Sequence, residues 1–290
     1  MKNIYLLIMM LSLTTLTMNV NAETYFTNSN GVEMTKEEYY KIVELLSETR
    51  ADTITQEQFE HLLEGTIIDR GTLYQKVVSN EDGVITEEYI TEEEYNNASD
   101  EPNYTCDEND INNRVEGYIE TSYKRFNVTL SNYGNNDYEV WGSLTWKRIP
   151  ACRSYDVFAF RTNYMSYSGV YGLQTYYKGS NYTDINYNSS SSGYNSATNG
   201  AGFSMNLKDD TDITKFEMTL LASLAINDFN YSTAHVYTSY QHAQSSVSQA
   251  QSLSYSFSAA GLGDVIDFSS STISNKYDGM AGIHLSTPIP

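Results

Sequence analysis

A change of hydrophobic period near residue 119 constrains this chain more than any other feature. Beyond it, Phe126, Val128 and Leu130 alternate with Arg125, Asn127 and Thr129. Tyr138, Val140, Leu144 and Trp146 share one parity, opposite Glu139, Ser143 and Thr145. Asp156, Phe158 and Phe160 follow, and later Phe216, Met218, Leu220, Ala222 and Leu224 alternate with Lys215, Glu217 and Thr219. Successive side chains of a strand point to opposite faces, so each run describes a strand with one apolar face. Several such strands with turn-rich gaps predict a mainly β fold, an antiparallel β-sandwich or jelly-roll-like domain over residues 119–290. Parity sets Trp141 and Trp146 on opposite faces, one for the core and one for the surface.

Residues 23–103 read differently, as a small acidic α+β region. One pattern occurs three times: Met34-Thr35-Lys36-Glu37-Glu38-Tyr39, Ile54-Thr55-Gln56-Glu57-Gln58-Phe59 and Ile90-Thr91-Glu92-Glu93-Glu94-Tyr95. Each threonine can cap a helix while Glu38, Gln58 or Glu94 reaches back to its amide, and the flanking apolar residues form a staple. Helices over 36–48 and 56–64 follow, then a hairpin from 74–78 and 84–90 around Asn80-Glu81-Asp82-Gly83. Neither that loop nor Asn28-Ser29-Asn30-Gly31 carries the spaced oxygen ligands of a calcium site, so the glycines read as turn residues and no metal is expected. Residues 104–118 read as a linker.

Charge follows the same boundary. Residues 23–120 hold 25 acidic against 6 basic side chains, whereas residues 121–290 hold 12 against 10. A field this negative repels nucleic acid and anionic membranes, and no basic patch offsets it. Lys2, the apolar run 4–16 and Val20-Asn21-Ala22 before Glu23 describe a signal peptide over residues 1–22, which predicts a secreted, extracellular protein without a stable membrane span. In that setting Cys106 and Cys152, the only cysteines, are expected to form a disulfide, stabilising the fold by about 4 kcal/mol in the chain-entropy picture.

Eight of the 26 tyrosines fall between positions 164 and 194, spaced by Ser, Gly and Asn. Rigid amphipathic rings beside small adaptable polar groups are the chemistry of binding loops and suit stacking on sugar faces. Tyr171, Tyr176, Tyr177 and Trp141 are the expected ligand-binding residues. Residues 229–263 contain no Asp, Glu, Lys or Arg. Two solvated edge strands account for the segment more simply than membrane-inserting strands, because glutamines break any lipid-facing stripe. His235 and His242 differ in strand parity, and no metalloprotease, nucleophile-elbow or phosphate-loop pattern occurs. Asp209, Asp210 and Asp212 read as a turn. Asp156, Glu139 and Glu217 remain as strand acids that a glycosidase would need as a pair.

Thr27-Asn28-Ser29-Asn30-Gly31-Val32-Glu33-Met34-Thr35, leading into Glu38-Tyr39, resembles the mature start of a group of uncharacterised secreted proteins of Gram-positive bacteria. So does Leu144-Thr145-Trp146-Lys147 followed by Arg153-Ser154-Tyr155-Asp156-Val157. The resemblance covers about a tenth of the length. It implies secretion and the same two-part layout, and it carries over no functional residues. The expectation is a secreted non-catalytic binding protein for a glycan or another cell-surface ligand, with no cofactor. The alternatives are a secreted hydrolase of polysaccharide and a membrane-active β protein.

Overall fold

A computed structural model describes residues 24–46, 48–79, 85–98, 120–150, 152–210, 212–258 and 265–290. The expected signal peptide and linker, the loop around Gly83 and Cys106 lie outside them. A short ribbon of β1 (Thr24–Thr27) and β2 (Glu33–Thr35) leads into α1 (Lys36–Leu45), α2 (Glu48–Ala51) and α3 (Gln56–Glu64). Strands β3 (Thr66–Ser79) and β4 (Ile85–Tyr89) precede α4 (Glu92–Asn97). Helices α1, α3 and α4 start at capping boxes formed by Thr35 with Glu38, Thr55 with Gln58 and Thr91 with Glu94, so these starts are set by side chains three residues apart. Asn28 supports the turn before β2: its amide donates to Ala51 O and Ile54 O while its Oδ1 accepts from Asn30 N and Val32 N. Those contacts account for the first Gly-containing loop as a turn.

The remaining strands are β5 (Glu120–Gly134), β6 (Asp137–Arg148), β7 (Tyr155–Asn163), β8 (Met165–Lys178), β9 (Asn181–Tyr187), β10 (Tyr194–Ala197), β11 (Gly200–Asn206), β12 (Lys215–Ile226) and β13 (Thr233–Gln241). After α5 (Gln249–Ser252) come β14 (Tyr255–Phe257), β15 (Ile266–Phe268), α6 (Ser271–Ser274) and β16 (Ile283–Pro288). The fold is mainly β, with a small α/β region at its N-terminal end. One sheet has seven strands in the order β4-β3-β5-β6-β12-β8-β9, and the other has five in the order β10-β11-β7-β13-β16. Every pairing in both sheets is antiparallel. Strands β3 and β4 therefore extend the larger sheet rather than forming a separate hairpin.

The alternating apolar residues meet between the sheets. Phe126, Val128, Leu130, Val140, Leu144, Trp146, Phe216, Met218 and Leu220 from the large sheet pack with Phe158, Phe160, Phe203, Met205 and Val236 from the small one. Gly142 continues the inward parity of Val140 and Leu144, and a Cβ there would lie 2.7 Å from Phe158 Cζ. The missing side chain is what lets that ring approach the sheet. The β5–β6 turn uses Asn135 and Asn136, both at positive φ, as a two-residue hairpin turn requires. Asn136 then bonds both Ile226 N and Ile226 O, pinning the turn to β12.

The uncharged stretch 229–263 is not a pair of solvated edge strands. Its first half is β13, an interior strand between β7 and β16, and its second half holds α5 and β14. Ala234, Val236 and Tyr240 face the main core, whereas Tyr237 belongs to a second cluster with Val157, Ala159, Ala243, Val247, Tyr255, Ile266 and Tyr277. Burial on both faces leaves no place for an unpaired charge.

Candidate functional site

The outer face of the seven-stranded sheet is floored by alternate residues of β5, β6, β12 and β8, and the short helices dock over part of it. Ser143 Oγ donates to Leu46 O at 2.7 Å, and Asn127 Nδ2 donates to Glu44 O at 2.6 Å, anchoring the end of α1 to the sheet. A cleft of about 280 Å³ remains where the helices stop. Its floor is one cross-strand row, Trp141, Leu221 and Tyr171, in which Leu221 pairs with both aromatic residues. Gln58 and His61 of α3, Arg50 of α2 and Asn186 of β9 supply polar groups around it.

Polar contacts fix the walls. Glu139, two residues before Trp141 and on the same face, accepts from Trp141 Nε1 at 3.1 Å and lies 3.1 Å from His61 Nε2. The His61 ring stacks on Tyr133 at 4.7 Å, with the planes 7° apart. Burial, followed by the Glu139 charge and hydrogen bonding to Glu139, pushes the Tyr133 phenol above its ordinary range. Arg50 pairs with Asp184 at 3.3 Å, and Asp184 also accepts from Thr175 Oγ1 at 2.6 Å. Trp141 and His61 thus share one carboxylate anchor, which orients both side chains toward the cleft.

Of the four expected binding residues, two meet here. Trp141 is half-buried, and Tyr171 is 58% exposed. Tyr177 shares the face of Tyr171 but is only 8% exposed, and its hydroxyl donates to Glu217 Oε2 at 2.9 Å. Burial, then Glu217, pushes its phenol well up. Tyr176 has the opposite parity and packs against the main core. Tyr177 and Tyr176 therefore do not line the cleft. Arg50, Gln58, His61 and Asn186 were not legible as site residues, because they reach the row only through the docking of the helices and of β9.

The strand acids do not converge. Glu139 pairs with Ser223, six residues along β12 from Glu217, a separation of about 20 Å at about 3.3 Å per residue. A glycosidase pair stands within about 10 Å. Asp156 lies at one end of the core between the sheets, fully buried, where it accepts from Tyr240 OH and from Ala243 N at 2.9 Å and lies 3.1 Å from His242 Nδ1. Beside it, Lys124 pairs with Asp278, which accepts from His242 N at 2.9 Å. Trp146 Nε1 donates to Tyr240 OH at 3.1 Å. This network joins the two sheets to the segment after β13. Asp210 accepts from Asp212 N at 3.0 Å and pairs with Lys178, the turn expected of that acidic cluster.

The expected Cys106–Cys152 bridge has one end outside the described residues, and Cys152 is half-buried between β6 and β7. Among the described residues no helix is long and apolar enough to cross a membrane. No family model matches the chain, and no curated protein matches it. Among solved structures it is similar to a chain described as a "Pore forming protein", at 11% identity over 62% of this chain and 83% of that one, with a TM-score of 0.20. A likeness at that level carries no argument about activity.

Proposed function

We propose that this is a secreted, non-catalytic binding protein that takes a glycan of the cell surface in the cleft between the short helices and the seven-stranded sheet. The observation that carries the reading is the row Trp141, Leu221 and Tyr171, two aromatic rings set apart by one strand and bordered by two amides, an imidazole and a guanidinium. Ring faces cover the C–H surface of a sugar, while Gln58, Asn186, His61 and Arg50 offer donors and acceptors to its hydroxyls. A volume of about 280 Å³ is at the small end for ligand pockets, which suits one or two sugar rings rather than a long chain. Export is supported by the 1–22 leader pattern, and the Cys106–Cys152 bridge belongs to the same reading.

A glycan array probed with the purified mature protein tests it. Binding to a defined set of glycans, abolished by Tyr171→Ala and by Trp141→Ala but retained by Tyr176→Phe, is the expected result. An array without binding, or binding indifferent to Tyr171 and Trp141, refutes the assignment.

A further inference from the structure

The outer face of the other sheet carries a second group of side chains, away from the cleft. His235 and His284 stand on the adjacent strands β13 and β16, with His235 opposite Ser286 and Tyr237 opposite His284, so the two histidines are diagonal neighbours. His235 Nδ1 and His284 Nε2 are 3.0 Å apart, at a solvent-exposed position. The sequence gives no hint of this, because the two residues are 49 positions apart.

We propose that His235 and His284 form a two-histidine chelate for a divalent transition-metal ion of the zinc class. Two nitrogens each about 2.0–2.1 Å from a common ion, at bite angles between about 90° and 109°, lie about 2.8–3.4 Å apart. The observed 3.0 Å falls inside that range. Imidazole ligands suit zinc, nickel and copper and discriminate against magnesium and calcium. Among the described residues no group of three or more His, Cys, Asp or Glu surrounds the pair. Water or an incoming ligand therefore completes the coordination.

The pair is held in place before any ion arrives. Arg161, Tyr237 and His284 form one row across β7, β13 and β16. His284 stacks on the Tyr237 ring at 4.5 Å with the planes 9° apart, and the Arg161 guanidinium lies 3.8 Å from the same ring. Ser286 N, on the same strand, is fixed by Asp69 Oδ2 at 2.9 Å. Without metal, one of the two facing nitrogens carries the shared proton. On binding, that proton moves to the other nitrogen of the same ring, so both lone pairs face the ion and no net proton is released from the neutral pair.

Titration calorimetry of Zn²⁺ into the full chain, with excess Mg²⁺ to occupy the acidic surface, tests the site. The expected result is one Zn²⁺ per chain at about pH 7.5, weakened about tenfold or more by His235→Ala and by His284→Phe. The phenylalanine keeps the stack on Tyr237 and removes only the ligating nitrogen, so a loss of binding with unchanged melting temperature assigns the effect to coordination. Lowering the pH to about 5.5 must also weaken binding, because protons then compete for both rings. Absence of Zn²⁺ binding, or binding of undiminished strength in both variants, overturns the proposal. Neither outcome bears on the aromatic cleft, which lies on the other sheet.

Discussion

Tyr177→Phe separates a structural tyrosine from a binding one by deleting a single oxygen. In the folded chain the Tyr177 hydroxyl donates to Glu217 Oε2 at 2.9 Å, and Lys215 Nζ approaches Glu217 Oε1 at 2.8 Å. Tyr177 is 8% exposed and Glu217 4% exposed, so little water replaces the lost donor. A hydrogen bond to a charged group contributes about 1.5–3 kcal/mol. Lys215 still neutralises part of the charge, which places the expected loss at about 2 kcal/mol. That corresponds to a fall of about 4–8 °C in Tm for a domain of this size. Tyr171→Phe, at a ring that is 58% exposed, should stay within about 0.5 kcal/mol of the parent. Urea unfolding of the parent and both variants, with m-values compared, measures the difference. The double variant Tyr177→Phe/Glu217→Gln should cost less than the sum of its parts, since both changes break one contact. If Tyr177→Phe is no more costly than Tyr171→Phe, the buried bond is not stabilising, and the division between the two tyrosines fails.

Two further expectations follow from buried or covalent contacts. Burial lowers the pKa of the Lys124 ammonium to about 7, against the raising effect of Glu87 and Asp156, so between about pH 7 and 10.5 the unfolded chain holds a proton that the folded one has lost. Stability should therefore rise with pH across that window, by up to about 1.4 kcal/mol per pH unit, and Lys124→Met should remove the rise. Parallel profiles would mean that Asp278 keeps the ammonium charged throughout. Thiol labelling of the denatured, unreduced protein produced in an oxidising compartment should find neither Cys106 nor Cys152 reactive, and two labelled thiols would exclude their bridge.

Short-range chemistry was the legible part of this fold. The starts of α1, α3 and α4 are encoded by a threonine and a glutamate or glutamine three residues on, and no distant residue is needed to form them. The core strands were legible because apolar residues alternate in β5, β6 and β12 and that parity fills the core between the sheets, although the other parity of β5 and β6 is polar and also covered. Strand β3 was expected only from residue 74, yet it begins at Thr66. Asp69, Arg70 and Gly71 interrupt its apolar pattern, and its pairing with β5 is what makes it a strand. Tertiary cover also decided the fate of β13, whose second apolar face exists only because Ala243, Val247, Tyr255, Ile266 and Tyr277 fold back over the small sheet. At the cleft, parity separated Trp141 from Trp146, and composition pointed to the tyrosine-rich stretch. Neither distinguished Tyr171 from Tyr177, which have the same parity and differ only in what covers them.

Strand β16 has a kinetic consequence. It covers one edge of β13 from Thr233 to Thr238, and its Ser286 amide is bonded to Asp69, 217 residues earlier. Contacts this distant along the chain slow folding, because a long loop must close before any of them forms. Until it docks, β13 offers a six-residue edge without Asp, Glu, Lys or Arg, Thr233 to Thr238, to any other chain nearby. Such an uncharged edge is a template for intermolecular pairing. Residues 283–288 thus act as a lock against aggregation as well as a structural strand, and a chain truncated before them would be expected to form aggregates rather than a looser monomer.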